Sequence, residues 1–389
     1  MITVEEAQTI LRAAAVRTQT EPVRLERALG RVLAKDAVSR ISMPPFDKSA
    51  MDGYALNSKD ASSRFRVIEM IPAGVVPARI VRKGECAKIM TGGMLPRGAD
   101  IVVRKEWTAE EDGRMRIVKP DDAPNICRKG EDVRPGDVVL KRGARIRAQE
   151  IGILASLGIG TVLAYVRPSV AIIATGSEIV APGRPLRPGQ IYDSNSYSLA
   201  AQAVTCGALV RMRRRVADRP AHIRQAIAAA LERCEMVLVS GGVSAGDLDF
   251  VPDILRELGV GLKFEQIAVQ PGKPTVFGTR RGRIVFGVPG NPVSSFVVFE
   301  VFIKPVLMRL MGLEEAPIFV RAALEKDLFR KKTERAAFVP VRVRGDTVRQ
   351  LDYHGSAHIQ ALSRADGLLY IPKGHSGYGA GSRVDVRLF

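Results

Sequence analysis

From about residue 166 to 313 the apolar positions alternate between two rhythms. "SVAIIAT" (169–175) and "MVLV" (236–239) are short, β-branched runs bounded by polar residues or glycine, the mark of buried strands. "SNSYSLAAQAVTCGA" reads as a helix entered at Ser194 or Asn195 and left at Gly207. "ALVRMRRRV" predicts a strand, and "AHIRQAIAAALERC" puts Ile223, Ala226, Ile227, Ala230 and Leu231 on one helical face. "VPDILRELG" (251–259) is a helix with Ile254, Leu255 and Leu258 on one side and Gly259 as its stop. "KFEQIAVQPGKPTVFG" follows, and then "RIVFGV" leads into "PGNPVSSFVVFEVFIKPVLMRLMG". Such alternation implies a mostly parallel sheet with helices on both faces, whose ligands sit outside the carboxyl ends of the strands.

The flanks follow other patterns. Between 44 and 130, short runs such as "FRVIEMI", "CAKIM", "DIVVRKE" and "RMRIVK" are punctuated by Gly and Pro, as in a small β-rich domain. From 314 the chain is again β-rich, and in "SRVDVRLF" Val384, Val386 and Leu388 alternate with Asp385 and Arg387, the period of a half-buried strand. At the start, Val4, Ala7, Ile10, Leu11 and Ala14 follow helical spacing. The expected architecture is therefore an elongated multidomain chain of class α/β plus β-rich domains. Residues 1–43 and 131–165 form a helical or extended connecting region and 44–130 an inserted β-rich domain. Residues 166–313 form the α/β domain, and 314–389 a C-terminal, barrel-like β domain.

Composition narrows the function classes. At 389 residues with 46% apolar and 26% charged residues, the chain is globular and long enough for two to four domains. No apolar run reaches the ~18 residues of a bilayer span. The acidic, amphipathic start is not a signal peptide, so no membrane association and a cytoplasmic location are expected. Cys86, Cys127, Cys206 and Cys234 lie far apart without a C-x-x-C, against a zinc site or a disulfide framework. The net charge is +18, from 59 Lys and Arg against 41 Asp and Glu, with clusters such as "RMRRR", "TRRGR" and "RKKTER". Aromatics make up only 5% and do not interleave with those clusters, so no nucleic-acid partner is expected; most of the charge reads as solvated surface with a general pull on anions.

The chemistry gathers at strand ends. "TGSE" (175–178), "SGGVSAGDLD" (240–249), "QPGKP" (270–274) and "GVPGNPVS" (287–294) all end predicted strands, and in a parallel sheet such ends share one edge. Glycines let a ligand approach the backbone, and turn amides with a helix N-terminus favour anions. Asn291 suits an N-cap with Pro292 first in the helix. Lys273 offers a point charge to an oxyanion. Asp247 and Asp249 would repel a phosphate unless a cation bridges them; Mg2+ does so through one or two carboxylates, making Glu178, Asp247 and Asp249 candidate ligands. The competing reading is a set of ordinary tight turns, and four of them on one edge weigh against it. In the β-rich insert, Asp52 before Gly53, Thr91 before Gly92, and Asp132 read on their own as turn residues. No Ser–His or Cys–His pair suggests a protein nucleophile, and His222, His354, His358 and His375 read as structural.

In order and spacing, "PPFDKSAMDGYAL", "IMTGGMLPRGADIVVRKE", "RKGEDVRPGD", "ATGSE", "IYDSNSY", "SGGVSAGDLDF", "PGKP", "VPGNPVSS" and "HGSAHIQALSRADGLLYIP" resemble the molybdopterin molybdenumtransferase family (MoeA, the molybdenum insertase, related to the gephyrin E domain) over nearly the whole chain. The resemblance implies a molybdopterin-binding α/β domain and an enzyme of molybdenum cofactor biosynthesis. Such an enzyme inserts molybdate into adenylylated molybdopterin with Mg2+ and releases AMP. It implies catalytic roles for Asp249, Glu178, Asp52, Thr91 and Asp132. Substrate would be held by Gly241, Gly242, Ser244, Lys273, Pro289, Gly290, Asn291 and Pro292, and molybdate by Arg335, Ser356, Lys273 and Ser294. It further implies a homodimer in which Asp52, Thr91 and Asp132 face the partner's α/β domain, with a molybdopterin adenylyltransferase as substrate donor. The chain departs from the family pattern at Gln270, where some members carry a lysine, at Pro340, where many carry an arginine and compensation by Arg342 is an open question, at Glu235, a usual Asp position, and in "SRADG". The rival activities are molybdopterin adenylyl transfer and a non-enzymatic dimeric scaffold of the gephyrin E-domain type.

Overall fold

Six strands build the central sheet in the order Leu209–Val216, Ser169–Thr175, Met236–Ser240, Arg283–Val288, Val276–Arg280 and Gly261–Phe264. This computed structural model describes residues 1–14, 19–243, 249–314, 317–351, 355 and 357–389. The first four strands run parallel; Val276–Arg280 returns antiparallel, and Gly261–Phe264 pairs antiparallel to it at the far edge. Alternate side chains enter opposite layers, as a pleat demands. Val170, Ile172, Met236 and Leu238 pack with Leu199, Ala203, Val293 and Val297 on one face. Ala171, Ile173, Val237 and Val239 pack with Ile223, Ile227, Val251 and Ile254 on the other. Because both faces are covered, these strands read as continuous apolar runs. Each fully buried Ile or Leu here stabilises the fold by roughly 1.5–3 kcal/mol.

The helix Val4–Ala14 joins this core rather than a connecting region, with Val4, Ala7 and Leu11 buried in its first layer. The connecting module proper pairs Thr20–Arg24 with Thr161–Tyr165 and Ala37–Val38 with Val138–Leu140, beneath the helix Ala148–Ser156. Val23, Leu33, Ile146, Leu154 and Val162 form its small core. The insert is a six-stranded sheet ordered Ile101–Arg104, Gly53–Leu56, Glu85–Ile89, Phe65–Ile71, Arg114–Ile117 and Thr108–Glu111.

Five strands of the tail close on themselves: Ala336–Arg344, Thr347–Gln350, Phe319–Leu324, Arg383–Leu388 and Gly367–Ile371, which pairs back to Ala336–Arg344. Val384 and Val386 point inward, as their alternation predicts. Closure leaves no free edge among these five. A short strand, Val269–Gln270, is added from the α/β region, parallel to Ala336–Ala337. Ala268 also accepts from the Ala336 amide at 2.8 Å, and its own amide donates to the Ile2 carbonyl at 2.7 Å. The Ile2 amide in turn donates to Gln266 at 3.1 Å, so the front of the chain, the 266–270 stretch and the barrel meet along one line.

Candidate functional site

Sheet order fixes where a ligand fits. Connections leave Ser169–Thr175 toward Leu209–Val216 on one side, while Met236–Ser240 lies on the other, so the order reverses between their tips. A cleft of about 700 Å³ opens there. It is lined by Thr175 and Gly176, by Ser240, Gly241 and Gly242, and by the turn Pro289–Gly290–Asn291–Pro292. Glu178 and Asp249 also line it. Thus Glu178, Gly241, Gly242, Asp249, Pro289, Gly290, Asn291 and Pro292 share one cleft. Ser244 and Asp247 lie outside the described residues, as does Ser356, although its neighbours Ala357 and Ile359 reach the same cleft.

Local geometry follows from local sequence. Gly241 (φ +92°) and Gly242 (φ +66°) occupy left-handed backbone that a side chain rarely adopts. Asn291 takes the N-cap position with Pro292 first in the helix Pro292–Val298, but its side chain makes no capping hydrogen bond. The first amides of a helix have no partner within it and carry the positive end of its dipole. The residues that tie the tips together were missed in the sequence. Asn195 donates to Ser240 Oγ at 2.8 Å and to the Gly290 carbonyl at 2.7 Å, bridging two strand ends. Asp193 accepts from the Ser196 amide at 2.9 Å and holds the helix that carries Asn195. Asp218 accepts from the Ser177 amide at 2.9 Å, and with Asp193 it brings the carboxylates lining the cleft to four among the described residues. The "DSN" of "IYDSNSY", a cluster of capping residues at a helix start, was the available signal for Asp193 and Asn195.

Several expected residues stand elsewhere. Lys273 is exposed beside the cleft, where its neighbour Pro274 contributes to the wall. Ser294 is buried in the first turn of its helix. Arg335 precedes Ala336, which pairs with Val269, so its segment is stapled to the turn bearing Lys273. Asp52 and Thr91 meet in the insert: the Thr91 amide and hydroxyl donate to Asp52 Oδ1 at 2.8 and 2.7 Å, and Lys105 Nζ lies 3.4 Å from Oδ2. These bonds hold the Asp52 carboxyl below the usual range, the Thr91 amide contributing most. Asp132 is exposed, its amide donating to Met43. Asp52, Thr91 and Asp132 do not line this chain's cleft. Arg342 does not enter it either; with Arg344, Arg349 and Arg364 it lines a separate cleft of about 490 Å³ on the barrel. Glu235 accepts from the Ser169 amide at 2.7 Å, a structural role.

The donor set bears on a cation. Among the described residues no group of three or more His, Cys, Asp or Glu is placed to hold a metal ion. Glu178 and Asp249 both line the cleft, and Mg2+ takes one or two carboxylates and completes its shell with phosphate and water. All four cysteines are free, and three of them are buried.

Fold and cleft together define a class: an α/β domain with a ligand cleft at the switch point of its sheet, set between two β-rich regions. Residues 2–158 match the MoeA N-terminal region (domain I and II), 171–309 a probable molybdopterin binding domain, and 321–389 the MoeA C-terminal region (domain IV). A molybdopterin molybdenumtransferase of Staphylococcus aureus is 36% identical over 379 residues, covering 94% of this chain and 90% of the relative. One from Staphylococcus epidermidis is 33% identical over 400 residues, covering 100% and 95%. The crystal structure of a molybdopterin biosynthesis MoeA protein from Pyrococcus horikoshii superposes with a TM-score of 0.87 at 31% identity, covering 100% of both chains. The chain belongs to the molybdopterin molybdenumtransferase (MoeA) family, a family of transferases.

Proposed function

We propose that this protein catalyses molybdenum insertion in molybdenum cofactor biosynthesis, taking adenylylated molybdopterin and molybdate and releasing AMP. The observation that carries the reading is the shared cleft: glycine turns, a helix N-terminus and carboxylates that include Glu178 and Asp249 converge at the switch point of the sheet. The amide-rich turns at Gly242 and at Gly290–Asn291 suit phosphate oxygens, and the ~700 Å³ volume suits a nucleotide-capped pterin. Glu178 and Asp249 would hold Mg2+, which when bound supplies charge neutralisation at the phosphoanhydride. Lys273, Ser294, Arg335 and Ser356 would hold molybdate, a reading supported by the pairing that brings the Arg335 and Lys273 segments together. The attacking oxygen then comes from molybdate, so the protein's own work is to bind, orient and neutralise.

Because Asp52, Thr91 and Asp132 do not line their own chain's cleft, they would complete the cleft of a second subunit in a homodimer. A molybdopterin adenylyltransferase would deliver the substrate. The direct experiment offers the purified protein either adenylylated molybdopterin with molybdate or molybdopterin with ATP. Consumption of the first pair with AMP release is expected; consumption of the second alone, or of neither, overturns the proposal. Glu178→Gln and Asp249→Asn should each slow AMP release roughly 10²-fold or more without altering the unfolding midpoint.

A further inference from the structure

The strands that end at the main cleft begin at another. A cavity of about 1170 Å³ lies at their opposite ends, where Ser169, Leu209, Glu235 and Arg283 start or precede strands and Gln19–Arg31 of the connecting module closes the far wall. Among the described residues, eight arginines and two carboxylates, Glu21 and Glu235, line it. Both carboxylates are engaged: Glu21 accepts from Arg31 Nη2 at 2.6 Å, and Glu235 from the Ser169 amide at 2.7 Å. Arg167, Arg211, Arg214, Arg233 and Arg283 have no ion pair among the described residues.

Charge on an edge strand has an ordinary explanation, since it discourages strand-to-strand aggregation. That accounts for Arg211 and Arg214 on the exposed edge strand Leu209–Val216. It does not account for Arg31, whose side chain is only 9% exposed, nor for the burial of Nε of both Arg31 and Arg167 without a hydrogen-bond partner. A buried donor left unpaired costs about 1–3 kcal/mol, and clustered guanidiniums repel one another. One ligand class offsets that repulsion: an anion with several charged oxygens, which guanidinium forks bind in pairs. Among the described residues no aromatic ring lines the cavity, so a stacked base has no platform there.

We infer that this second cleft, built from Arg31, Arg167, Arg211, Arg214, Arg233 and Arg283, is a binding site for a compact polyphosphate-type anion, distinct from the cleft at the strand tips. The test is calorimetric titration of the full chain with inorganic tripolyphosphate, at low and at physiological salt. Saturable binding at one site per chain is expected, weakened at least tenfold in an Arg167→Gln/Arg211→Gln/Arg283→Gln variant. An Arg342→Gln/Arg349→Gln variant removes two charges from the arginine cleft on the barrel and should bind as the parent does. Each variant's unfolding midpoint is checked first; if the triple variant does not fold, Arg211→Gln/Arg283→Gln on the rim replaces it, with at least a threefold weakening expected. Absent or non-saturable binding overturns the inference. So does equal weakening in the barrel variant, which would reduce the effect to net charge. Displacement of tripolyphosphate by a single-stranded oligonucleotide of equal phosphate concentration, with higher affinity, also overturns it in favour of a nucleic-acid backbone.

Discussion

A Cβ added at Gly241 would sit 2.6 Å from the Thr175 carbonyl oxygen and 2.8 Å from its hydroxyl. Those two residues flank the point where the sheet order reverses, so the glycine lets the two strand tips close on each other. Gly241→Ala should therefore cost about 1–3 kcal/mol in urea unfolding, and should lower AMP release beyond what that instability explains. Thiol reactivity gives an independent check. Burial pushes the Cys86 thiol up to about 12 and Cys206 up to about 11, and burial also raises Cys234. A raised value leaves the neutral, unreactive thiol at pH 8. Burial raises the Cys127 thiol as well, so access separates the four: a disulfide reagent should modify the half-exposed Cys127 slowly in the native protein and the other three only after denaturation. At this scale the sequence was partly legible. Gly241, Gly242, Asn291 and Asp249 announce themselves through turn chemistry that is local. Asn195 does not, because its partners Ser240 and Gly290 lie 45 and 95 residues away.

Elements whose burial is periodic could be read directly. The helix Pro220–Arg233 buries the five residues its spacing selects, and Met236–Ser240 is buried throughout. Two-residue pairings such as Lys48–Ser49 with Ile126–Cys127 could not, since two residues carry no period. The barrel strands were legible as strands, but ring closure is set by pairings such as Ala337 with Ile371, which no local pattern encodes. Ile371 is fully buried there, and Ile371→Ala should destabilise the chain by about 2–5 kcal/mol in chemical denaturation. In the connecting module, Glu150 accepts from the Arg147 amide and guanidinium, which holds its carboxyl down to about 2 against an ordinary 4.5. A depressed value contributes stability that is fully present above the ordinary value and lost as pH falls through 4.5 toward 2. Glu150→Gln should thus be less stable than the parent at pH 7, with the gap narrowing across that acid window in thermal melts.

The whole molecule raises the question of which chain completes which cleft. If Asp52 serves a partner's cleft, co-refolded Asp52→Asn and Asp249→Asn subunits form mixed dimers in which one of the two clefts has both residues intact. About a quarter of the parent's activity should return from two variants that are each inactive, by the arithmetic of random two-fold assembly. No recovery would place Asp52 in the cleft of its own chain or outside the reaction. Size-exclusion chromatography with light scattering tests the dimer itself. Strand-rich and alternating stretches differ in rhythm along the chain, but the contacts between them carry no such local mark. Tyr370 of the barrel donates to Glu5 at 2.8 Å, a bond between residues 365 apart. The line where Ile2, Ala268 and Ala336 meet makes the opening residues structural partners of the loop that presents Lys273. Clipping off residues 1–3 would strip hydrogen-bond partners from Gln266 and Ala268. The fault should appear as weaker oxyanion retention long before it appears in the melting curve.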